Sequence, residues 1–164
     1  SKGLETVTHA ADNDERSIFF VRGAVETVKK LRWDASVVHC TGWITALTPL
    51  YLKHKYNGDP SFRTGKIVVS LVPDAFEGTL DPRFVDKLRM EGFAPELLES
   101  LAGAPVDYLT LMRAAIDNAD AVMEALPGAA PELIDYARAS GKPFLPCPPA
   151  DNYADEVATF YASL

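Results

Sequence analysis

Only two cysteines, Cys40 and Cys147, occur in 164 residues, with no CxxC spacing and no group of His and Cys around either that would complete a ligand set. A zinc site and a disulfide framework are therefore not expected. Two free thiols are the first reading and a single Cys40–Cys147 bridge the alternative. Basic residues are in deficit, 16 Lys and Arg against 23 Asp and Glu, for a net charge of −7. They are also scattered along the chain, whereas nucleic acids and anionic membranes are held by clustered cations, so neither partner is expected. Long apolar runs are missing too. Nothing approaches the ~18 residues that cross a bilayer, and the opening Ser1-Lys2-Gly3 begins no signal-peptide stretch, so a cytoplasmic location is expected. Gly78, Gly92 and Gly103 form no GxGxxG or Walker pattern, and no serine sits in a nucleophile elbow. No phosphate loop, metal or cofactor is expected within these residues.

What is present is the material of an ordinary core. With 48% hydrophobic and 24% charged residues, one domain over residues 1–164 is the expectation. Ile18, Val21, Val25, Val28 and Leu31 recur at helical spacing behind Asp12 or Asn13 as N-cap. Val37 to Cys40 reads as a buried strand and Ile44 to Tyr51 as the helix after it. Lys66 to Leu71 is a second strand whose unbroken apolar character suits a parallel sheet covered on both faces. Asp81-Pro82 reads as N-cap and first position of a helix reaching about Met90, and Pro95 as the start of a shorter one. Helices are expected from about Val106 to Asn118, from Pro131 to the glycine cap at Gly141, and from Tyr153 to Leu164. Ala121 to Ala125 and Pro143 to Leu145 supply the third and fourth strands. Strands separated by tens of residues and alternating with helices imply right-handed crossovers. The expected fold is α/β, a three-layer Rossmann-like parallel sheet.

In such a sheet ligands lie beyond the carboxyl ends of the strands, which puts His39, Cys40 and Thr41 where chemistry is expected. The run His39-Cys40-Thr41-Gly42-Trp43, followed by Ala46-Leu47-Thr48-Pro49, resembles the His-x-His-Asp-Trp stretch of bacterial glycogen and starch synthases. Thr41 stands at that family's second histidine and Gly42 at its aspartate. Asp12-Asn13 with Arg16 and Phe19 is similar to the family's Asp-Asn-x-x-Arg-Phe. Phe76-Glu77-Gly78 resembles its aromatic-x-Gly after a Thr-Val-His-Asn strand, the His-Asn pair being replaced around Leu71, Val72 and Pro73. Ala115 to Val122 is similar to the segment where a helix delivers the chain into the next strand.

The resemblance implies a GT-B glycosyltransferase that carries glucose from ADP-glucose or UDP-glucose to an α-1,4-glucan. This chain would be the later, acceptor-side part of its N-terminal lobe. The family's Lys-x-Gly-Gly-Leu loop and its second lobe do not occur here, so a separate second lobe or self-association is implied and the segment alone is expected to be inactive. By the same resemblance Asp12 and Thr41 take the catalytic positions, and His39, Trp43, Glu77 and Gly78 bind substrate. Catalysis of this kind rests on positioning and electrostatics, where one lost donor costs ~2.7–4 kcal/mol. Thr41 offers a hydrogen bond but no charge.

Each residue also has a plainer role: Asp12 as a helix cap, His39 as a bonded core histidine, Trp43 as a packing residue, and Asp74, Glu77 and Asp81 as a solvated acidic loop rather than an acid/base pair. The alternative function is a non-catalytic glucan-binding or regulatory protein with a degenerate synthase lobe. An unrelated flavodoxin-like domain is a third reading.

Overall fold

Short, largely apolar strands, each followed by a helix, line up in the structure as one four-stranded parallel sheet. The structure is a computed structural model and describes residues 13–31, 36–62, 65–103 and 105–164. The strands are β1 (Val37–Thr41), β2 (Lys66–Leu71), β3 (Ala121–Glu124) and β4 (Phe144–Leu145), paired in chain order. Val37 lies opposite Lys66, Val68 opposite Ala121 and Val122 opposite Phe144. Asp120 helps set the β2–β3 register: its carboxylate accepts the Ile67 N–H at 2.8 Å and its own N–H donates to the Ile67 carbonyl at 2.9 Å.

The helices are α1 (Asn13–Leu31), α2 (Thr48–His54), α3 (Phe84–Met90), α4 (Tyr108–Asp117), α5 (Pro131–Ala139) and α6 (Tyr153–Ala162). Strand alternation sorts the sheet side chains into two layers. Cys40, Ile67, Val69, Leu71 and Val122 face a large core with Leu50 and Tyr51 of α2, Phe84 and Leu88 of α3, Leu111 and Ile116 of α4, Leu133 of α5 and the Val21 stripe of α1. Val68, Ala121 and Met123 face the other way, onto Tyr153, Val157, Phe160 and Tyr161 of α6. The sheet thus has helices on both faces, in keeping with a Rossmann-like lobe.

Ends shift by a residue or two at several elements, and three segments differ from the sequence expectation in kind or in capping. The helix expected over Ile44–Tyr51 is split into a 3-10 turn at Trp43–Thr45 and α2 from Thr48. Pro49 lacks an N–H and crowds the preceding turn, so it begins a helix rather than continuing one. The Thr45 hydroxyl closes the turn by donating to the Thr41 and Gly42 carbonyls, both at 3.0 Å. Asp81 is not the cap of α3. Its carboxylate folds onto the N–H and guanidinium of Arg83, and the helix starts two residues beyond Pro82. Arg83 beside it holds the Asp81 carboxyl down at about 2. Pro95–Leu98 is a 3-10 turn. The glycine expected to end α5 does so, with Gly141 at φ +75° and its N–H on the Arg138 carbonyl.

Candidate functional site

At the carboxyl edge of the sheet β1 delivers Thr41, and the chain turns at once through Gly42 into the 3-10 turn that begins at Trp43. Gly42 has φ +79° and ψ 175°, a conformation open in practice to glycine alone. The reason lies on the neighbouring strand. Beyond the end of β2, the Asp74 carboxylate accepts the backbone N–H of Trp43 at 2.8 Å through one oxygen and the Tyr108 hydroxyl at 2.7 Å through the other. Burial, and then this carboxylate, push the Tyr108 pKa well up, so the phenol stays a donor.

Under the edge lies an aromatic group. Trp43 meets Phe76 edge-on with ring centroids 5.3 Å apart, and Phe76 meets Tyr108 edge-on at 5.7 Å. Such T-shaped pairs contribute about 0.5–1.5 kcal/mol beyond the area they bury. They tie the loop after β1, the loop after β2 and the first turn of α4 into one unit.

The residues picked from the sequence divide as follows. Thr41 is exposed at the strand end, its partner across the ladder being Ser70. His39 lies on the same strand face, mid-strand, sharing a hydrogen bond between its Nε2 and the Ser70 hydroxyl and meeting the Tyr161 ring edge-on at 6.0 Å. The residue is exposed, with Ser70 and Tyr161 against its ring, and partial burial lowers its pKa from 6.5. Trp43 is only 2% exposed, so its ring presents no face for a sugar to stack on. It packs beneath the edge against Phe76. Glu77 and Gly78 are exposed on the loop after β2, adjacent in sequence to Phe76. Asp12 lies outside the described residues.

Asp74 and Tyr108 are the polar pair the sequence reading missed as a unit. Asp74 entered only as one of three loop carboxylates, and the structure gives the three different surroundings, Asp81 being taken up by Arg83. The available signal was a glycine immediately before a helix-opening Trp. A residue free to adopt positive φ there leaves room for a group from elsewhere.

Cys40 and Cys147 are both free thiols, and burial pushes that of Cys40 up to about 12, far from a reactive thiolate. Among the described residues no three His, Cys, Asp or Glu side chains gather as a metal site. None of their helices is long and apolar enough to cross a membrane. A groove of about 660 Å³ lies elsewhere, between α1 and α3, lined by Phe19, Arg22, Met90 and Glu91. None of the sheet-edge residues lines it.

Four parallel strands, crossover helices and a polar carboxyl edge define a partial Rossmann-like α/β domain. Comparison with known proteins narrows this class. The family model described as starch synthase catalytic domain matches residues 4–141, and the chain belongs to that family. It is 32% identical over 125 residues to a glycogen synthase of Vibrio parahaemolyticus, covering 74% of this chain and 24% of that protein. It is 32% identical over 127 residues to one of Thermodesulfovibrio yellowstonii, covering 76% and 25%. An Aeromonas hydrophila glycogen synthase is 29% identical over 133 residues, covering 79% and 26%. The chain therefore spans about a quarter of the length of the curated relatives it matches. No solved structure matches it.

Proposed function

We propose that this chain is the later, acceptor-side part of the N-terminal catalytic lobe of a glycogen synthase-like glycosyltransferase. That enzyme moves glucose from ADP-glucose or UDP-glucose to an α-1,4-glucan. The observation that carries the reading is the position of His39–Trp43. In a chain whose family match runs from residue 4 to 141, this stretch forms the strand, edge and turn at the carboxyl side of a parallel sheet, the place where α/β domains hold ligands.

In this reading the exposed Thr41 hydroxyl donates a hydrogen bond to the sugar, while Glu77 and Gly78 on the next loop line the approach of substrate. His39 contributes from the same strand face, and Asp12 from the chain before α1. Trp43, from below, holds the edge in shape. The chain's contribution to transfer is orientation of sugar and acceptor, with the donor lobe supplied beyond these 164 residues and no cofactor called for. A single domain over residues 1–164 and a cytoplasmic location belong to the same proposal.

A second reading is favoured by two specific positions. Thr41 stands where the family pattern has a histidine, and its His-Asn pair is replaced around Leu71, Val72 and Pro73. A group lost from a preorganised site costs about 100- to 1,000-fold in rate, and the charge missing at Thr41 together with the missing His-Asn pair points to a non-catalytic glucan-binding or regulatory protein. The test is transfer of labelled glucose from ADP-glucose and UDP-glucose to glycogen by the intact protein. Incorporation above a no-enzyme control supports the synthase. Glycogen binding without incorporation supports the binding protein.

A further inference from the structure

The interaction that governs the sheet edge centres on Asp74, a residue not singled out for substrate, and reaches Trp43 only through its backbone N–H. A Cβ built on Gly42 would lie 2.5 Å from Asp74 Oδ2. Real Cβ atoms do not come this near an oxygen, so something would have to shift. A loose carboxylate would swing aside at little cost. Asp74 is not loose, because one oxygen is held by the Trp43 N–H at 2.8 Å and the other by the Tyr108 hydroxyl at 2.7 Å. Tyr108 is in turn 5% exposed, on the first turn of α4, packed edge-on against Phe76. A chain of fixed contacts thus runs from α4 through Asp74 to the turn that follows Thr41. In the family pattern a carboxylate belongs to position 42 itself. Here position 42 is bare, and a carboxylate from the neighbouring strand's loop fills the space beside it.

We infer that Asp74 is a positioning residue: anchored by Tyr108, it caps the turn at Trp43, occupies the space of a side chain at position 42, and so fixes where Thr41 stands at the sheet edge. Asp74 itself touches no substrate in this scheme. The functional weight of the inference rests on the synthase reading above, but the clamp does not. It predicts energetic coupling between positions 42 and 74 whatever the chain transfers.

The experiment is a double-mutant cycle on the intact protein, followed by thermal unfolding, with Gly42→Ala, Asp74→Ala and the pair. Gly42→Ala carries two penalties, backbone strain at φ +79° and the clash with Asp74. Asp74→Ala removes only the second. The melting temperature is expected to fall further when Gly42→Ala is made in wild type than in Asp74→Ala, by about 2–4 °C or more. Equal falls in the two backgrounds overturn the inference.

Hydrogen exchange by mass spectrometry on the Trp43 peptide keeps the test decisive if Gly42→Ala does not fold. The Trp43 amide is expected to lose about tenfold or more of its protection in Asp74→Ala. It should retain it in Asp74→Asn, whose Oδ1 still accepts from Trp43 and whose amide donates to the Tyr108 oxygen. Unchanged protection in Asp74→Ala overturns the clamp. In glucose transfer, Asp74→Ala is expected to lower kcat about tenfold or more with KM little changed, and Asp74→Asn to restore it. An unchanged kcat in Asp74→Ala overturns the positioning role. Coupling between 42 and 74 in a protein that transfers no glucose leaves the clamp standing and removes the synthase reading. Transfer without coupling does the reverse.

Discussion

At position 39 an imidazole lies between the Ser70 hydroxyl and the edge of the Tyr161 ring, and burial lowers its pKa below 6.5. The fold therefore favours the neutral ring. Above pH 6.5 the ring is neutral folded and unfolded, and no stability is lost. As pH falls through 6.5 the unfolded chain takes up the proton first, so stability declines until the folded pKa is reached. Urea midpoints measured across that interval should fall with pH in wild type and fall less steeply in His39→Gln, which keeps a hydrogen-bonding group beside Ser70. Identical slopes would contradict the placement. The sequence put His39 on a strand, next to the edge residue Thr41, because strand and turn chemistry are local. It did not show that the ring faces α6, a helix more than a hundred residues away in the chain, since strand alternation assigns sides of a sheet without saying what covers them. For the same reason Trp43 was readable as either a sugar platform or a packing residue, since the Phe76 ring it packs on comes from a loop more than thirty residues away in the chain.

Elements were the most legible level. β2 and the starts of α5 and α6 fall where apolar runs and prolines place them, because burial period and proline chemistry act within a few residues. Where expectation and structure part, a local group competes with the helix: Pro49 and Thr45 at the split after β1, Asp81 folded onto Arg83 before α3. End caps supplied from a distance were not readable. Asp107 caps α4 from within, accepting the Thr110 N–H at 2.8 Å, and this bond holds its carboxyl below the usual range. The other end of α4 is capped by Lys142, from beyond α5. Its ammonium donates to the carbonyls of Ile116, Asp117 and Ala119 at 2.6, 2.8 and 2.8 Å. Burial lowers the Lys142 pKa despite the surrounding acceptors. Lys142→Met retains the apolar stem and leaves the three carbonyls without the ammonium. It should cost about 1.5–3 kcal/mol in chemical denaturation with the denaturant slope unchanged. A loss under ~0.5 kcal/mol would mean that water replaces the lysine without penalty.

At the scale of the whole molecule, a sheet with α1 to α5 on one side and α6 on the other forms a Rossmann-like unit, and β1 and β4 are its edges among the described residues. Such edges suit further pairing, and in the proposed reading they are where the rest of the lobe or a second copy of the chain adjoins. Fold class was legible because strand and helix signals alternate throughout. Family was legible from His39–Trp43 and Phe76–Gly78, because each resemblance lies within a few consecutive residues. The carboxylate beside Gly42 was not, because Asp74 and Gly42 meet only through the sheet.

The central claim is that a sheet edge bearing Thr41, steadied by Asp74, still serves glucosyl transfer. Its most direct test is incorporation of labelled glucose into glycogen by the intact protein, offered ADP-glucose and UDP-glucose in parallel with any separate donor lobe added. Incorporation dependent on the protein and on one of the two donors is the predicted result. Glycogen binding with no incorporation from either donor would contradict it.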